Sequence, residues 1–192
     1  MVNIQMIQKK LSQVRVLYSA EKIQATVETI AREIIVRHKE AVDIVLVGIM
    51  KGGSFCFLPD LSRVIQAICP VMFIDVQYLG ISRYGQEHLS NRPVRIYLDL
   101  DISTQDRVVV LVEDIIEDGA TIMWALEHFQ KNHRAKRVEV AALLKRDGVL
   151  FQPAYTFLPV KKGYWVVGYG MEENVEGRSY LRSLPYLGYL PK

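Results

Sequence analysis

The apolar positions of this chain change period several times, and each change marks an element. Ile23, Val27, Ile30 and Ile34 recur at spacings of four, three and four, which lines them along one helical face. Ser19, just ahead of them, is a suitable N-cap. Residues 44–47, Ile-Val-Leu-Val, are apolar without interruption, the pattern of a parallel strand buried on both faces. The run ends in Gly48-Ile49-Met50-Lys51-Gly52-Gly53, a turn. Phe55, Leu58, Leu61 and Ile65 then predict a second helix, ended by Pro70. Residues 71–76 read as a strand. Residues 77–93 read as a long polar connection with Gly80, Gly85, Asn91 and Pro93, a length that is either mobile or functional.

Residues 94–98 predict another short strand. Residues 107–112 carry the strongest strand signal and run into Glu113-Asp114-Ile115-Ile116-Glu117-Asp118-Gly119-Ala120-Thr121. A helix follows, with Met123, Leu126 and Phe129 predicted inward. Residues 138–144 predict the next buried strand, and the remainder alternates short strands with aromatic-rich loops. Strands alternating with helices imply an open α/β fold with a mainly parallel sheet. Ligands of such sheets sit beyond the carboxyl ends of the strands, which points at 48–53, 113–121 and 145–148.

The 192 residues suffice for one domain with one sizeable core. Lys and Arg exceed Asp and Glu by 24 to 21, a net +3 that argues against a nucleic-acid partner. Cys56 and Cys69 are too few for a disulfide framework and lack zinc spacing, so buried free thiols are expected. His38, His88, His128 and His133 also lack metal spacing and receive no role. No apolar run approaches the roughly 18 residues of a membrane span, and residues 1–10 have no signal-peptide core. A reducing cytoplasm and no membrane partner are the expectations.

The chemistry concentrates at 113–121. Acidic side chains at a helix start complement its dipole, which accounts for one or two carboxylates but not for two pairs. Gly119 and the amides after it can cradle a phosphate. The carboxylates can hold ribose hydroxyls, or a Mg²⁺ that neutralises a polyphosphate. Neither G-x-x-x-x-G-K-[ST] nor G-x-G-x-x-G occurs, so the common mononucleotide and dinucleotide fingerprints are missing.

Val112-Glu113-Asp114-Ile115-Ile116-Glu117-Asp118-Gly119-Ala120-Thr121 resembles the phosphoribosyl-pyrophosphate (PRPP) loop of type I phosphoribosyltransferases. The chain is similar in particular to the hypoxanthine-guanine phosphoribosyltransferase family. Gly48-Ile49-Met50-Lys51-Gly52-Gly53 resembles its pyrophosphate loop. Trp165-Val166-Val167-Gly168-Tyr169-Gly170 resembles its base-binding segment, and Leu184-Pro185-Tyr186-Leu187-Gly188 its C-terminal end. The resemblance implies a five-stranded parallel core flanked by helices in one domain over 1–192. Residues 1–18 would form an N-terminal arm and 154–192 a small hood. It implies purine salvage, in which ribose 5-phosphate passes from PRPP to a 6-oxopurine, with Mg²⁺, releasing pyrophosphate. It also implies a homodimer or homotetramer.

By the same resemblance Glu117 is the general base beside the purine N7. Glu113 and Asp114 hold the ribose hydroxyls, and with Glu172 they form the metal side. Asp118, Gly119, Ala120 and Thr121 receive the 5-phosphate. Lys51 and Gly52 meet pyrophosphate, joined by Arg182. Trp165 stacks on the base and the Val166 backbone reads its edge. Lys145 is the cationic base contact, with Arg146 as the alternative.

Three positions and one loop depart from the family pattern. Glu117 and Glu172 replace aspartates, and Asp118 replaces a hydroxyl residue. A carboxylate at 118 repels a phosphate unless it turns away as a helix cap. The mobile-loop motif matches either Ser82-Arg83-Tyr84-Gly85 or Gln77-Tyr78-Leu79-Gly80. These departures keep a second reading open, a catalytically weak PRPP- or nucleotide-binding regulator of the same fold.

Overall fold

A computed structural model describes residues 4–41, 43–50, 55–83 and 94–190. Lys51, Gly52, Tyr84 and Gly85 therefore lie outside the described residues.

The main sheet has the order β4-β3-β2-β5-β6-β7, formed by Val94–Leu98, Phe73–Arg83, Asp43–Met50, Val108–Ile116, Arg137–Arg146 and Leu158–Val160. Five of these strands run parallel and β4 pairs antiparallel with β3 at the edge. The expected five-stranded parallel core is thus present, with a sixth strand added.

Strand alternation assigns its residues to two cores. Ile44, Leu46, Val108, Val110 and Val112 pack with α2 (Ala20–Arg37) and α3 (Phe57–Ile68). Val45, Val47, Val109 and Leu111 pack against Ile122, Ala125 and Phe129 of α4 (Ala120–His128) and the turn after it. Both strand faces are covered, which explains uninterrupted apolar runs.

Ser19 caps α2 as expected, its Oγ accepting from the Lys22 N–H at 3.3 Å. Several expectations need correction. Residues 77–83 continue β3 rather than opening a loop, because β4 supplies an antiparallel partner. Gly80 is required there, since a Cβ would sit 2.5 Å from the Tyr97 ring. The segment 77–80 is therefore not a flap. Met123 points outward at 57% exposure, and Ile122 and Ala125 take the inward positions. Phe55 is exposed ahead of α3. Both cysteines are half-buried rather than buried, and both are free thiols.

The arm and the hood share a sheet. β1 (Arg15–Tyr18), which follows α1 (Ile4–Gln13), pairs with β11 (Leu187–Leu190), and β11 pairs with β8 (Trp165–Val167). β9 (Glu173–Val175) and β10 (Arg178–Tyr180) form a hairpin, tied to the arm by the Lys10–Glu173 ion pair. The boundary expected at 154 falls too early, because β7 belongs to the main sheet. Among the described residues no helix is long and apolar enough to cross a membrane.

Candidate functional site

β5 continues four residues past its apolar run, so Glu113 and Asp114 lie within a strand and not in a loop. This places two carboxylates at a sheet end, where solvent is scarce. Asp114 is buried, and its Oδ1 accepts from the Ile115 N–H at 2.7 Å. Burial pushes its carboxyl up to about 6, opposed by that amide and by the nearby Arg182. Glu113 is pushed well above the ordinary carboxylate range, first by burial and then by Asp114 beside it. Its buried Oε2 has no hydrogen-bond partner among the described residues.

A raised carboxyl destabilises the fold once it ionises. Stability held below the unfolded pKa of Asp114 is lost as pH climbs from about 4 through about 6. Asp114→Asn removes that cost and keeps an acceptor for the Ile115 amide. It should stabilise the ligand-free protein at neutral pH by about 1–3 kcal/mol, a rise of several degrees in Tm. It should also flatten the Tm against pH profile between pH 4 and 6. A lower Tm at neutral pH would contradict this account of the pair.

The turn after β5 begins α4. Gly119 caps it at φ 82°, a left-handed conformation that suits glycine. A Cβ there would also lie 3.2 Å from Phe151. Asp118 Oδ1 accepts from the Ala120 N–H at 2.9 Å. The carboxylate thus closes an Asx turn just ahead of the Gly119 cap, and it holds one of the amides that a phosphate at this turn would use.

Glu117 is exposed but engaged. Arg146 grips it with two bonds, Nε to Oε2 at 2.8 Å and Nη2 to Oε1 at 2.5 Å. Arg146 Nη1 donates to the Lys161 and Tyr164 carbonyls at 2.9 and 2.8 Å. Four of its five N–H donors are thereby used, leaving one Nη2 hydrogen for a ligand. Lys145, the expected base contact, lies elsewhere, with its Nζ 5.3 Å from the centre of the Phe157 ring. Neighbouring strand residues project to opposite faces, so only Arg146 meets the acidic turn.

Two cavities meet at Glu117. One, of about 780 Å³, runs along Asp118–Ala120 and is walled by Met123, Arg146, Phe151 and Lys162. The other, of about 210 Å³, lies between Asp114, Trp165, Val166, Glu172 and Arg182. Arg182 pairs with Glu172, Nη2 to Oε2 at 2.5 Å, and also donates to the Gly170 carbonyl. Trp165 is 41% exposed and lines this cavity. β8 is the edge strand of the hood sheet, so alternate backbone groups along it have no strand partner.

The structure therefore brings together Glu113, Asp114, Glu117, Asp118, Gly119, Ala120, Thr121, Trp165, Val166, Glu172 and Arg182 around one strand end and the hood above it. Sequence reasoning carried Lys145 as the contact but left Lys145 and Arg146 about even. The signal that could have decided between them is strand parity, which needs the strand's exact register.

Comparison with known proteins agrees with this arrangement. A family model described as the phosphoribosyl transferase domain matches residues 14–174. The hypoxanthine-guanine phosphoribosyltransferase of Dictyostelium discoideum is 34% identical over 185 residues, covering 91% of this chain and 94% of that protein. The Mycobacterium avium protein of the same name is 32% identical over 183 residues, covering 91% and 84%. A crystal structure of a hypoxanthine phosphoribosyltransferase from Staphylococcus aureus superposes with a TM-score of 0.81 at 25% identity, covering 99% of this chain and 96% of that one.

Proposed function

Because this chain belongs to the phosphoribosyl transferase family, we propose that it is a purine-salvage hypoxanthine-guanine phosphoribosyltransferase. It transfers ribose 5-phosphate from PRPP to a 6-oxopurine. The C1′–pyrophosphate bond breaks and a C1′–purine nitrogen bond forms. The observation that carries this reading is that one carboxylate, Glu117, lines both the cavity along a helix start and the cavity beside Trp165.

In this reading the smaller cavity takes the base. Trp165 stacks on it, and the outward backbone of β8 around Val166 reads its edge. Arg146 replaces Lys145 as the cation at the purine oxygen, using its remaining Nη2 hydrogen. Glu117 accepts the purine proton at N7. Residues 118–121 receive the 5-phosphate, Glu113 and Asp114 hold the ribose hydroxyls, and Arg182 joins Lys51 and Gly52 at pyrophosphate.

Magnesium fits the residues present. The donor set of Glu113, Asp114 and Glu172 is all oxygen, as Mg²⁺ requires. The buried Glu113 Oε2 lacks a partner, and burial raises both strand carboxyls, which a cation would reverse. When bound, the ion offsets the negative charge of pyrophosphate. A homodimer or homotetramer is part of the same reading, and β3 and β4 carry exposed apolar side chains at Phe73, Val76, Tyr78, Tyr97 and Leu98.

A second reading rests on Asp118. Its carboxylate occupies the Ala120 amide, which favours weak phosphate binding and hence a nucleotide-binding regulator. The test is mononucleotide formation from PRPP with hypoxanthine, guanine, adenine and orotate, with Mg²⁺ or with excess chelator. Product with a 6-oxopurine, and only with the divalent ion, is expected. Equal product in chelator, or product only with adenine or orotate, would overturn the reading.

Trp165→Ala gives a narrower check. Stacking of a base on an aromatic ring is worth roughly 1–3 kcal/mol. Affinity for the purine mononucleotide should fall by that amount while PRPP affinity stays within about twofold. Equal losses for both ligands would make the ring a structural element of the hood.

A further inference from the structure

We propose that Asp99, His128 and His133 form a binding site for a divalent transition-metal ion of the zinc class, separate from the catalytic carboxylates. The three side chains converge from two parts of the chain. His128 Nε2 and His133 Nε2 are 3.1 Å apart. Asp99 Oδ1 lies 3.1 Å from His133 Nε2, and its Oδ2 lies 3.4 Å from His128 Nε2.

Zinc bonds to imidazole nitrogen and carboxylate oxygen measure about 2.0–2.1 Å in a tetrahedron. The donor atoms of such a tetrahedron are therefore about 3.3 Å apart. The two imidazole nitrogens are already close to that separation, and each has an Asp99 oxygen at a similar distance, so one donor atom from each of the three residues lies within 4.8 Å of the others. The ligand set is two imidazoles and a carboxylate, which selects zinc, nickel or copper over magnesium.

A local departure from the α-helix makes this possible. Five residues separate the two histidines, and in an α-helix that offset puts side chains on different faces. Here α4 passes into one π-helical turn, Phe129–His133. Its wider ring brings positions five apart together, and such turns recur at functional sites. This is why the spacing of His128 and His133 carried no metal signal in the sequence.

The rings are already oriented. His128 stacks on Trp124 at 5.1 Å with planes 9° apart, and His133 stacks on Phe129 at 4.8 Å. Thr104 Oγ1 donates to the His133 carbonyl at 3.2 Å, holding the end of the turn. The two imidazoles keep 8% and 14% of their side-chain surface in solvent and Asp99 keeps 41%. The site is thus walled by protein on the imidazole side and open to water or a fourth ligand on the other.

Protonation is favourable too. Burial holds His128 toward its neutral form, assisted by His133 beside it and opposed by Asp99; the neutral form is the one that ligates metal. As the side chains stand, Asn132 Nδ2 donates to His128 Nδ1 at 2.9 Å. The His128 proton then sits on Nε2, aimed at Asp99 and His133. Metal uptake moves that proton to Nδ1, so Asn132 must release the ring; its Nδ2 keeps the His128 carbonyl, to which it already donates at 3.1 Å. Outer contacts of this kind set the tautomer of ligating histidines.

The eight steps from Ala120 to His128 place the cluster roughly 12 Å along α4 from the phosphate turn. A bound ion would fasten the far end of that helix to the segment leaving β4.

The test is Zn²⁺ titration of the whole protein by calorimetry in excess Mg²⁺, which keeps the catalytic carboxylates occupied. Co²⁺ is used in parallel as a visible probe of geometry. One Zn²⁺ per chain and an intense tetrahedral Co²⁺ band are expected. Asp99→Asn and His133→Gln should each weaken Zn²⁺ at least about tenfold. Zn²⁺ at a hundred times its Kd should raise the parent Tm by roughly 5–10 °C and leave the variants nearly unmoved. Melting of both variants in chelator, matching the parent, guards against a folding defect; Asp99→Asn at the open side carries the test if His133→Gln melts early. No stoichiometric uptake, or uptake undiminished in a folded Asp99→Asn, overturns the proposal. Transferase activity is a separate measurement, so its absence would leave this site standing.

Discussion

Glu117→Gln should lower turnover by roughly 10²–10⁴-fold, the usual contribution of a general base, with PRPP affinity within a few-fold of the parent. Gln keeps the length and the planar end of Glu, so the Arg146 fork still finds one acceptor. What it loses is the ability to take the N7 proton. The Glu117–Arg146 pair is solvent-exposed on the Glu side, 57% against 10%, and in the variant Arg146 keeps both carbonyl acceptors and the Gln oxygen. A collapse of the fold is therefore not expected to mimic the catalytic loss, and an unchanged melting curve checks that. Turnover within about fivefold of the parent would remove Glu117 from the chemistry. The grip of Arg146 adds a second consequence. The guanidinium fixes the carboxylate against the carbonyls of Lys161 and Tyr164, so the extra methylene of Glu over Asp is spent on reaching Arg146.

Asp118→Thr should move affinity, not turnover. The parent carboxylate sits on the Ala120 amide at 2.9 Å, where a 5-phosphate would come within about 4 Å. At an effective dielectric of 20, one such charge pair repels by roughly 4 kcal/mol. The carboxylate can swing outward on binding, giving up one hydrogen bond worth about 1 kcal/mol. The penalty therefore lies between these values, and PRPP and mononucleotide should bind roughly 10- to 100-fold more tightly to Asp118→Thr. A threonine hydroxyl can accept from the same Ala120 amide in an ST turn, so Tm should change little. The readouts are Kd by calorimetry and melting by circular dichroism. Unchanged Kd for both ligands would mean that the phosphate avoids this turn.

Most of the architecture was legible because the parallel strands are buried on both faces. Runs such as Ile44–Val47 admit few other readings, and the Ile23 to Ile34 spacing left α2 one inward face. Legibility failed where pairing, rather than side-chain pattern, decides the structure. Gln77 to Arg83 is too polar to read as strand, yet β4 pairs with it and Tyr97 closes over Gly80. In α4, Met123 and Ile122 are equally apolar, and only the direction of the helix axis chooses between them.

The candidate site divides in the same way. Its acidic turn, its glycine and its hood aromatic follow from motif order along the chain. The choice of Arg146 over Lys145 depends on strand parity, and the turn at Asp118 on a single 2.9 Å contact. The pairing of His128 with His133 depends on one π-helical turn that no spacing rule for α-helices anticipates.

The central claim is that Glu117 works as a base despite its clamp and the like charge at Asp118. A single-turnover experiment tests it most directly. Protein in excess over PRPP is mixed with Mg²⁺ and hypoxanthine or guanine, quenched over time, and assayed for pyrophosphate and mononucleotide. The account predicts that PRPP is consumed completely, with one pyrophosphate and one mononucleotide per PRPP, even if the rate is slow. PRPP remaining intact with every 6-oxopurine, while the same protein binds the mononucleotide tightly, would contradict it and identify a regulator.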